Sequence, residues 1–336
     1  MQRSLFQWPP RLRGPSWGII IMRLLWAAYR SARGEVMLKK TVVVLLLLIA
    51  VLAIVIGVDS LRSHSYKNQV AVLTYHHVDP EESEFTISAE RFRDHLAALK
   101  EHGFHVITMD EFIGFLKDAK PVPDNAVVIT FDDGYESFYQ YAYPELKKQG
   151  MSATQFLIVS SVGKKDEQPP FLSWDEIKEM RQSGIDFYSH TFDSHDFRPG
   201  DKGKSANSLT SRLLLPDSNR VETDEEYRQR VLADLSEAEK QLRGQLGNKL
   251  GLLCLPHGRY HRELIDLAGQ AGINYIFTGD YGLNSSKDKL IKRITAGVPT
   301  LTGEQLVSKI EKETTLLGKA EDVAKNTLLQ IRYKFF

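Results

Sequence analysis

One cysteine, Cys254, stands in 336 residues. No intrachain disulfide can form, so a disulfide scaffold and a cysteine-rich zinc site are both excluded. A chain this long can bury its own core without covalent staples, so the shortage does not exclude a location outside the cytoplasm. Net charge is missing as well: 43 Lys and Arg balance 43 Asp and Glu. Without a basic excess, nothing favours nucleic acid as a partner. The Gly-x-Gly-x-x-Gly fingerprint is absent, so no dinucleotide site is expected. What remains, 42% hydrophobic residues, suits one large globular domain or a smaller one with appendages.

Residues 41–57, TVVVLLLLIAVLAIVIG, carry neither charge nor proline, and Lys39 and Lys40 precede them. A run of this length spans a thin bilayer or forms a long signal-peptide core. The lysines favour cytoplasm on the N-terminal side. No A-x-A cleavage site follows, so residues 37–58 are expected to be a retained single-pass anchor, with the rest of the chain outside the cell; cleavage would make the protein secreted. No cysteine follows the run, which excludes a lipoprotein. Residues 1–36 are rich in Arg and Trp without a clear period. They are expected to be either a cytoplasmic segment or a translated upstream region, with synthesis starting at Met37; peptides from residues 1–36 in the native protein would refute the second reading.

After a polar linker at 59–69, strand-like and helix-like runs alternate. Gln69–Tyr75, Ile185–Ser189, Leu250–Leu255 and Ile273–Thr278 read as strands, and Ala126–Phe131 is a continuous apolar strand of the kind buried on both faces. Ser88 with Gly103 frames one helix, and Thr108/Glu111, Ser173/Glu176 and Thr302/Gln305 are cap signals for others. Further helices are expected over Glu225–Arg243 and His261–Gln270. Such alternation implies parallel strands joined by helical crossovers, and about seven strands imply an α/β barrel over residues 70–313. In barrels the chemistry gathers at the C-terminal strand ends. There stand His76 and His77, Asp132 and Asp133, His190, and the segment Pro256–Gly258. The polar stretch Arg198–Thr223 is too long for an ordinary connection and reads as a surface insertion. Residues 314–336 form a polar tail with a basic-aromatic end.

Two adjacent carboxylates ending a buried strand are costly unless something positive lies between them, and Gly134 allows a sharp turn there. His190 and His195, five apart, do not share a helix face, but a strand-to-loop turn can bring them together. Two imidazoles and one carboxylate with open positions make a zinc- or iron-type catalytic site. Tyr135, Tyr260 and Trp174 are aromatics that could line such a site, with core packing as the competing reading for Trp174.

Thr130-Phe131-Asp132-Asp133-Gly134-Tyr135, Ser189-His190-Thr191 with His195, and Leu255-Pro256-His257-Gly258 together resemble the polysaccharide deacetylases, the carbohydrate esterase family 4 with its NodB-homology domain. The opening Val72-Leu73-Thr74-Tyr75-His76-His77-Val78 and the histidine spacing resemble the poly-N-acetylglucosamine deacetylase branch. The resemblance implies a distorted (β/α) barrel and one divalent metal, Zn2+ first and Co2+, Ni2+ or Fe2+ as alternatives, held by Asp133, His190 and His195. It implies Asp132 as the general base that activates the attacking water. It gives the backbone N–H of His257 to the oxyanion. It implies His76, in the early Tyr75-His76 motif, as the general acid, with His77 as the competing choice. The implied partner is an extracellular N-acetylglucosamine polymer; alternatives are peptidoglycan deacetylation, O-acetyl ester hydrolysis, or glycan binding without catalysis. Three positions depart from the pattern. Cys254 stands where an arginine usually orients the base, so another group must do so. His257 replaces a tyrosine. Tyr188 replaces a small residue and is expected to line the cleft.

Overall fold

The computed structural model describes residues 22–27, 40–47 and 65–335, together with residues 49, 51, 55 and 57; of residues 332–335 it describes the backbone alone. The chain divides into two compact units, residues 1–62 and 63–336. In the first, the described residues are helical and exposed. Among the described residues no helix is long and apolar enough to cross a membrane. The expected anchor lies partly outside them, since residues 48, 50, 52–54 and 56 of the apolar run are not described. The segment around Met37 also lies outside them.

The second unit is built on one largely parallel sheet. Its strands are β1 (Gln69–Tyr75), β2 (Ala126–Phe131), β3 (Ala153–Leu157), β4 (Ile185–Ser189), β5 (Gly251–Cys254), β6 (Ile273–Phe277), β7 (Asn284–Ser285), β8 (Leu290–Ile291) and β9 (Ile294–Thr295). The order is β7-β1-β2-β3-β4-β5-β6-β8, eight strands where about seven were expected, with β9 also on β1 and a tenth, two-residue strand, His105–Val106, also on β2. Every pairing but that of β7 is parallel. Closure comes from one short segment. Leu290 and Ile291 pair with Ile276 and Phe277 of β6, and Ile294 and Thr295 pair with Leu73 and Thr74 of β1. The chain thus steps from the last long strand to the first within a few residues, carrying Arg293 across the seam of a nearly closed barrel.

Side-chain alternation sorts the core. Val70, Val72, Ala126, Val128, Phe156, Tyr188, Leu252, Cys254 and Phe277 form the barrel interior, joined by the apolar face of helix α2 (Met109–Asp118). The opposite strand faces pack on the surrounding helices. Leu73 and Tyr75 meet Phe92 and Leu96 of α1 (Ala89–Glu101). Leu253 and Ile276 meet Val231 and Leu235 of α5 (Asp224–Leu246) and Leu264 of α6 (Arg262–Gln270). The remaining helices are α3 (Tyr143–Gln149), α4 (Trp174–Arg181), α7 (Gly303–Lys312) and α8 (Leu316–Phe335). Helix starts fall where the cap residues put them. Thr108, Ser173, Thr223 and Thr302 close reciprocal capping boxes, each worth about 1 kcal/mol of helix stability. The polar insertion folds into two short ribbons, Phe197–Pro199 with Ser205–Asn207 and Leu214–Leu215 with Arg220–Val221.

Glu239 on α5 is 3% exposed, and its nearest cation, Arg243, stands 3.5 Å away. Burial pushes its carboxyl up to about 7 against the weaker pull of Arg243. A raised carboxyl favours folding below the unfolded pKa, and that contribution is lost as pH rises through the folded value. Glu239→Gln is therefore expected to add up to about 3 kcal/mol of stability at about pH 8.5 and little at about pH 4. Urea unfolding at the two pH values measures this; equal effects at both would contradict it.

Candidate metal and catalytic site

The C-terminal strand ends and the loops that follow open on a cavity of about 710 Å3. His76, Asp132, Asp133, His190, His195 and His257 all line it. They arrive from four segments: His76 after β1, Asp132 and Asp133 after β2, His190 and His195 after β4, and His257 after β5. Asp132 continues the interior-facing parity of β2, and its N–H donates to the Tyr75 carbonyl at 2.9 Å. Asp133 then adopts φ 76 and Gly134 φ 89, and a Cβ at Gly134 would stand 2.9 Å from Leu157. The turn that separates the two carboxylates thus needs glycine. His190 follows β4, with Thr191 at φ 77. His257 sits at φ 57, before Gly258, whose Cβ would lie 2.4 Å from Gly279. Left-handed backbone at non-glycine residues costs free energy and concentrates where function demands it; Asp133, Thr191 and His257 all carry it at this rim.

Asp133, His190 and His195 each offer a ligand atom, and these atoms lie within 4.8 Å of one another. Asp133 Oδ1 is 3.4 Å from His190 Nε2 and 3.2 Å from His195 Nε2. That oxygen is buried and makes no hydrogen bond, an arrangement suited to a cation. His190 Nδ1 lies 2.8 Å from the Cys254 carbonyl, which fixes the tautomer with Nδ1–H donating and leaves the Nε2 lone pair facing Asp133. Burial alone would raise the Asp133 carboxyl, but the two imidazoles outweigh it and hold it well below the usual range. Burial lowers His195, while Asp133 and Asp196 raise it further, for a net rise. These residues form a buried Asp/His/His group able to hold a metal ion. A second grouping, Asp132, His190 and Cys254, is also close enough. It fits less well: burial raises the Cys254 thiol, keeping it protonated, and Asp132 is already engaged.

Asp132 is engaged by Arg293, whose Nη1 donates to both carboxylate oxygens at 2.8 and 3.0 Å. Both side chains are buried, 2% and 9% exposed. Burial raises Asp132; Arg293, then His190 and His76, more than offset that and hold it below the ordinary carboxylate value. The Arg293 Nε–H donates to the Thr278 carbonyl at 3.1 Å, which orients the guanidinium. The orienting cation thus comes from the barrel seam, 161 residues from Asp132, and the Cys254 thiol lies 3.4 Å from each carboxylate oxygen in the place it leaves.

His76 Nε2 is 3.8 Å from Asp132 Oδ2. His77 also lines the cavity, edge-on to Tyr135 at 5.2 Å, and burial lowers its pKa. Tyr135 lines the cavity; Tyr188 and Tyr260 do not. Tyr188 has the same strand parity as His190 but lies one pleat deeper, so it fills the barrel interior beside Phe156 and Cys254. The Tyr260 hydroxyl donates to Asp280 Oδ2 at 2.6 Å, and its ring packs toward the α5–α6 cluster. Trp174 packs against the core under α4. Aromatic lining comes instead from Phe85, 52% exposed and 5.6 Å from the His76 ring, and from Tyr281.

Asp234 of α5 also escaped the sequence reading. Its carboxylate accepts the N–H groups of Phe192 and Asp193 at 3.0 and 2.8 Å and the Ser194 hydroxyl at 2.9 Å. It thereby pins the loop between the two histidines. Asp234→Ala is expected to weaken metal binding about 10–100-fold, as loss of outer supports does at metal sites; calorimetric titration with Zn2+ would measure it, and unchanged affinity would show the loop holds itself.

Sequence and structure comparisons give this site a context. Residues 119–276 match the polysaccharide deacetylase family. The chain carries a polysaccharide deacetylase domain. The poly-β-1,6-N-acetyl-D-glucosamine N-deacetylase of Escherichia coli (strain K12) is 26% identical over 265 residues, covering 73% of this chain and 39% of that protein. The enzyme of the same name from Staphylococcus aureus (strain MSSA476) is 28% identical over 238 residues, covering 66% of this chain and 76% of its own length. The structure of a de-N-acetylase from Aggregatibacter actinomycetemcomitans superposes with a TM-score of 0.66 at 28% identity, covering 71% of this chain and 99% of that one. This chain therefore spans well under half the length of the Escherichia coli relative.

Proposed function

We propose that the chain is a metal-dependent N-deacetylase of an extracellular poly-N-acetylglucosamine-like polymer, tethered to the membrane through residues 41–57. The observation that carries this reading is a division of labour between adjacent carboxylates. Asp133 faces two imidazoles with an unshared buried oxygen, while Asp132 is kept apart by Arg293 and left ionised beside the same cavity. Its relatives' names supply the substrate class.

A divalent ion held by Asp133, His190 and His195, Zn2+ in the first instance, would polarise the acetamide carbonyl and make water more acidic. Asp132 takes the proton of the attacking water; Arg293 keeps it anionic and aimed. His76, 3.8 Å from Asp132 and open to the cavity, donates the proton that the departing amine needs. The backbone N–H of His257, fixed by its left-handed turn, is the donor assigned to the developing oxyanion. Phe85, Tyr135 and Tyr281 offer ring faces to the sugar.

The full chain in detergent, stripped with chelator and reloaded with Zn2+ or Co2+, should release acetate from β-1,6-linked N-acetylglucosamine oligomers faster than from peptidoglycan fragments or O-acetyl esters. Metal binding without acetate release from any N-acetylated glycan would refute the enzymatic reading. A preference for peptidoglycan or for esters would refute the substrate.

A further inference from the structure

Helix α8 turns two unlike faces outward and inward. Its inner side is fixed to the barrel rim. Asn326 exchanges hydrogen bonds with the Tyr281 backbone at 2.8 and 3.0 Å, Lys325 lies over the Tyr281 ring at 5.3 Å, and Asp322 is buried. Leu329 reaches the wall of the catalytic cavity. The outer side is apolar and exposed. Leu317, Val323, Leu328 and Ile331 are 49% to 68% exposed. At 3.6 residues per turn they fall, with the exposed Ala320 and Ala324 between them, within an arc of about 140°. No charged residue from 316 to 331 lies in that arc, and its one polar residue, Thr327, turns its hydroxyl back to the Val323 carbonyl at 2.7 Å. Scattered exposed leucines need no explanation, but a continuous apolar face on a well-anchored helix does.

The charge around this face identifies its occupant. The segment 316–336 has four cationic residues, Lys319, Lys325, Arg332 and Lys334, and two acidic ones. Of the acids, Asp322 is buried and Glu321 is bound by Lys312 and Lys325. The exposed Lys319 therefore borders the apolar stripe, and the sequence that follows the stripe is basic and aromatic, Arg332-Tyr333-Lys334-Phe335-Phe336. Basic flanks, an apolar face and interfacial aromatics are the combination that lies in the headgroup layer of an anionic bilayer. A second copy docked antiparallel on the same face would bring lysines against lysines. The apolar run at 41–57 supplies an independent reason for a bilayer to be within reach of this chain.

We propose that α8 lies in the surface of an anionic lipid bilayer, apolar face down, and so holds the catalytic cavity beside the headgroups. The helix is then both a wall of the cavity, through Leu329, and a second membrane contact beyond the expected anchor. This contact does not depend on the activity proposed above, and its test reads no catalysis.

The test places an environment-sensitive fluorophore on a cysteine introduced by Val323→Cys or Leu328→Cys in the full chain; Cys254, fully buried, stays unlabelled. A label at the exposed Lys240 of α5 is the control. With vesicles of phosphatidylcholine and phosphatidylglycerol, the labels at 323 and 328 should shift to the blue. They should be quenched at least about twofold by nitroxide-bearing lipid chains and ignore aqueous iodide, while the label at 240 does the reverse. Removing phosphatidylglycerol should weaken the shift. Labels at 323 and 328 that remain open to iodide in the presence of vesicles would overturn the proposal. So would labels shielded from iodide but untouched by the lipid quencher, which would assign the face to a second copy or to the chain's own apolar run.

Discussion

Asp132→Asn is expected to lower acetate release by about 10^3–10^4-fold, the upper part of the range for loss of a general base, while Zn2+ binding persists because Asp133, His190 and His195 are untouched. It should also destabilise the protein. The change strips the buried Arg293 guanidinium of its only carboxylate among the described residues, and an uncompensated buried charge costs about 3–5 kcal/mol. Arg293→Met isolates the other half. A buried Asp132 carboxylate without its cation should cost a similar amount of stability. It should also move the acid limb of the kcat/KM profile to higher pH, because Arg293 is the foremost group holding Asp132 below its ordinary value against burial. The sign for stability follows: with a depressed folded pKa, Asp132 stabilises the fold above the unfolded carboxylate value and loses that contribution as pH falls. Combining Asp132→Asn with Arg293→Met should recover most of the stability and none of the activity. Acetate release by Asp132→Asn near the unaltered rate would remove Asp132 from the chemistry. Additive stability losses in the double variant would deny that the pair acts as a unit.

What the sequence disclosed follows from which interactions are local. β1 and β2 are legible to the residue because nearly all of their residues are apolar, and β4 because only Asp186 separates Ile185 from Phe187 and Tyr188, with Gly184 just before it. Helix starts are legible because a capping box is a four-residue signal. β3 is not, since Thr154 and Gln155 interrupt it with polar side chains; Gln155 is wholly buried and donates to the Asp132 carbonyl at 3.0 Å, a partner 23 residues away. Arg293 was hidden for the same reason at greater range. A lysine–arginine pair between two short apolar pairs reads as surface until the closing of the barrel turns it inward. Tyr188 shows the opposite failure. A large aromatic two residues before a ligand suggests a cleft wall, but strand parity fixes only the face, and depth along the strand decides between rim and interior. Asp133 and His190 could be placed at one rim because each closely follows a strand, and barrel geometry brings strand ends together; His195, in the loop beyond, joins them through the motif resemblance.

Asp133→Ala is expected to reduce Zn2+ affinity by more than the 10–100-fold assigned to loss of an outer support, and activity with it. The distinction lies in what each residue supplies. Asp133 contributes the one anionic ligand, and its depressed pKa reflects two imidazoles already turned toward a single oxygen. Removing it leaves two neutral nitrogens, one of them fixed by the Cys254 carbonyl, and no charge to offset the ion's desolvation. Raising the Zn2+ concentration should not restore turnover, because the polarising power of the site depends on the full ligand set. Asp234→Ala differs in kind, since all three ligands persist and only the loop between His190 and His195 loosens. Excess Zn2+ should then bring the rate back toward that of the unaltered protein. Titration of both variants with metal, read by acetate release and by calorimetry, separates a lost ligand from a lost support. Full rescue of Asp133→Ala by metal would show that the ion is held elsewhere, and the Asp132, His190 and Cys254 grouping would then be the one to test.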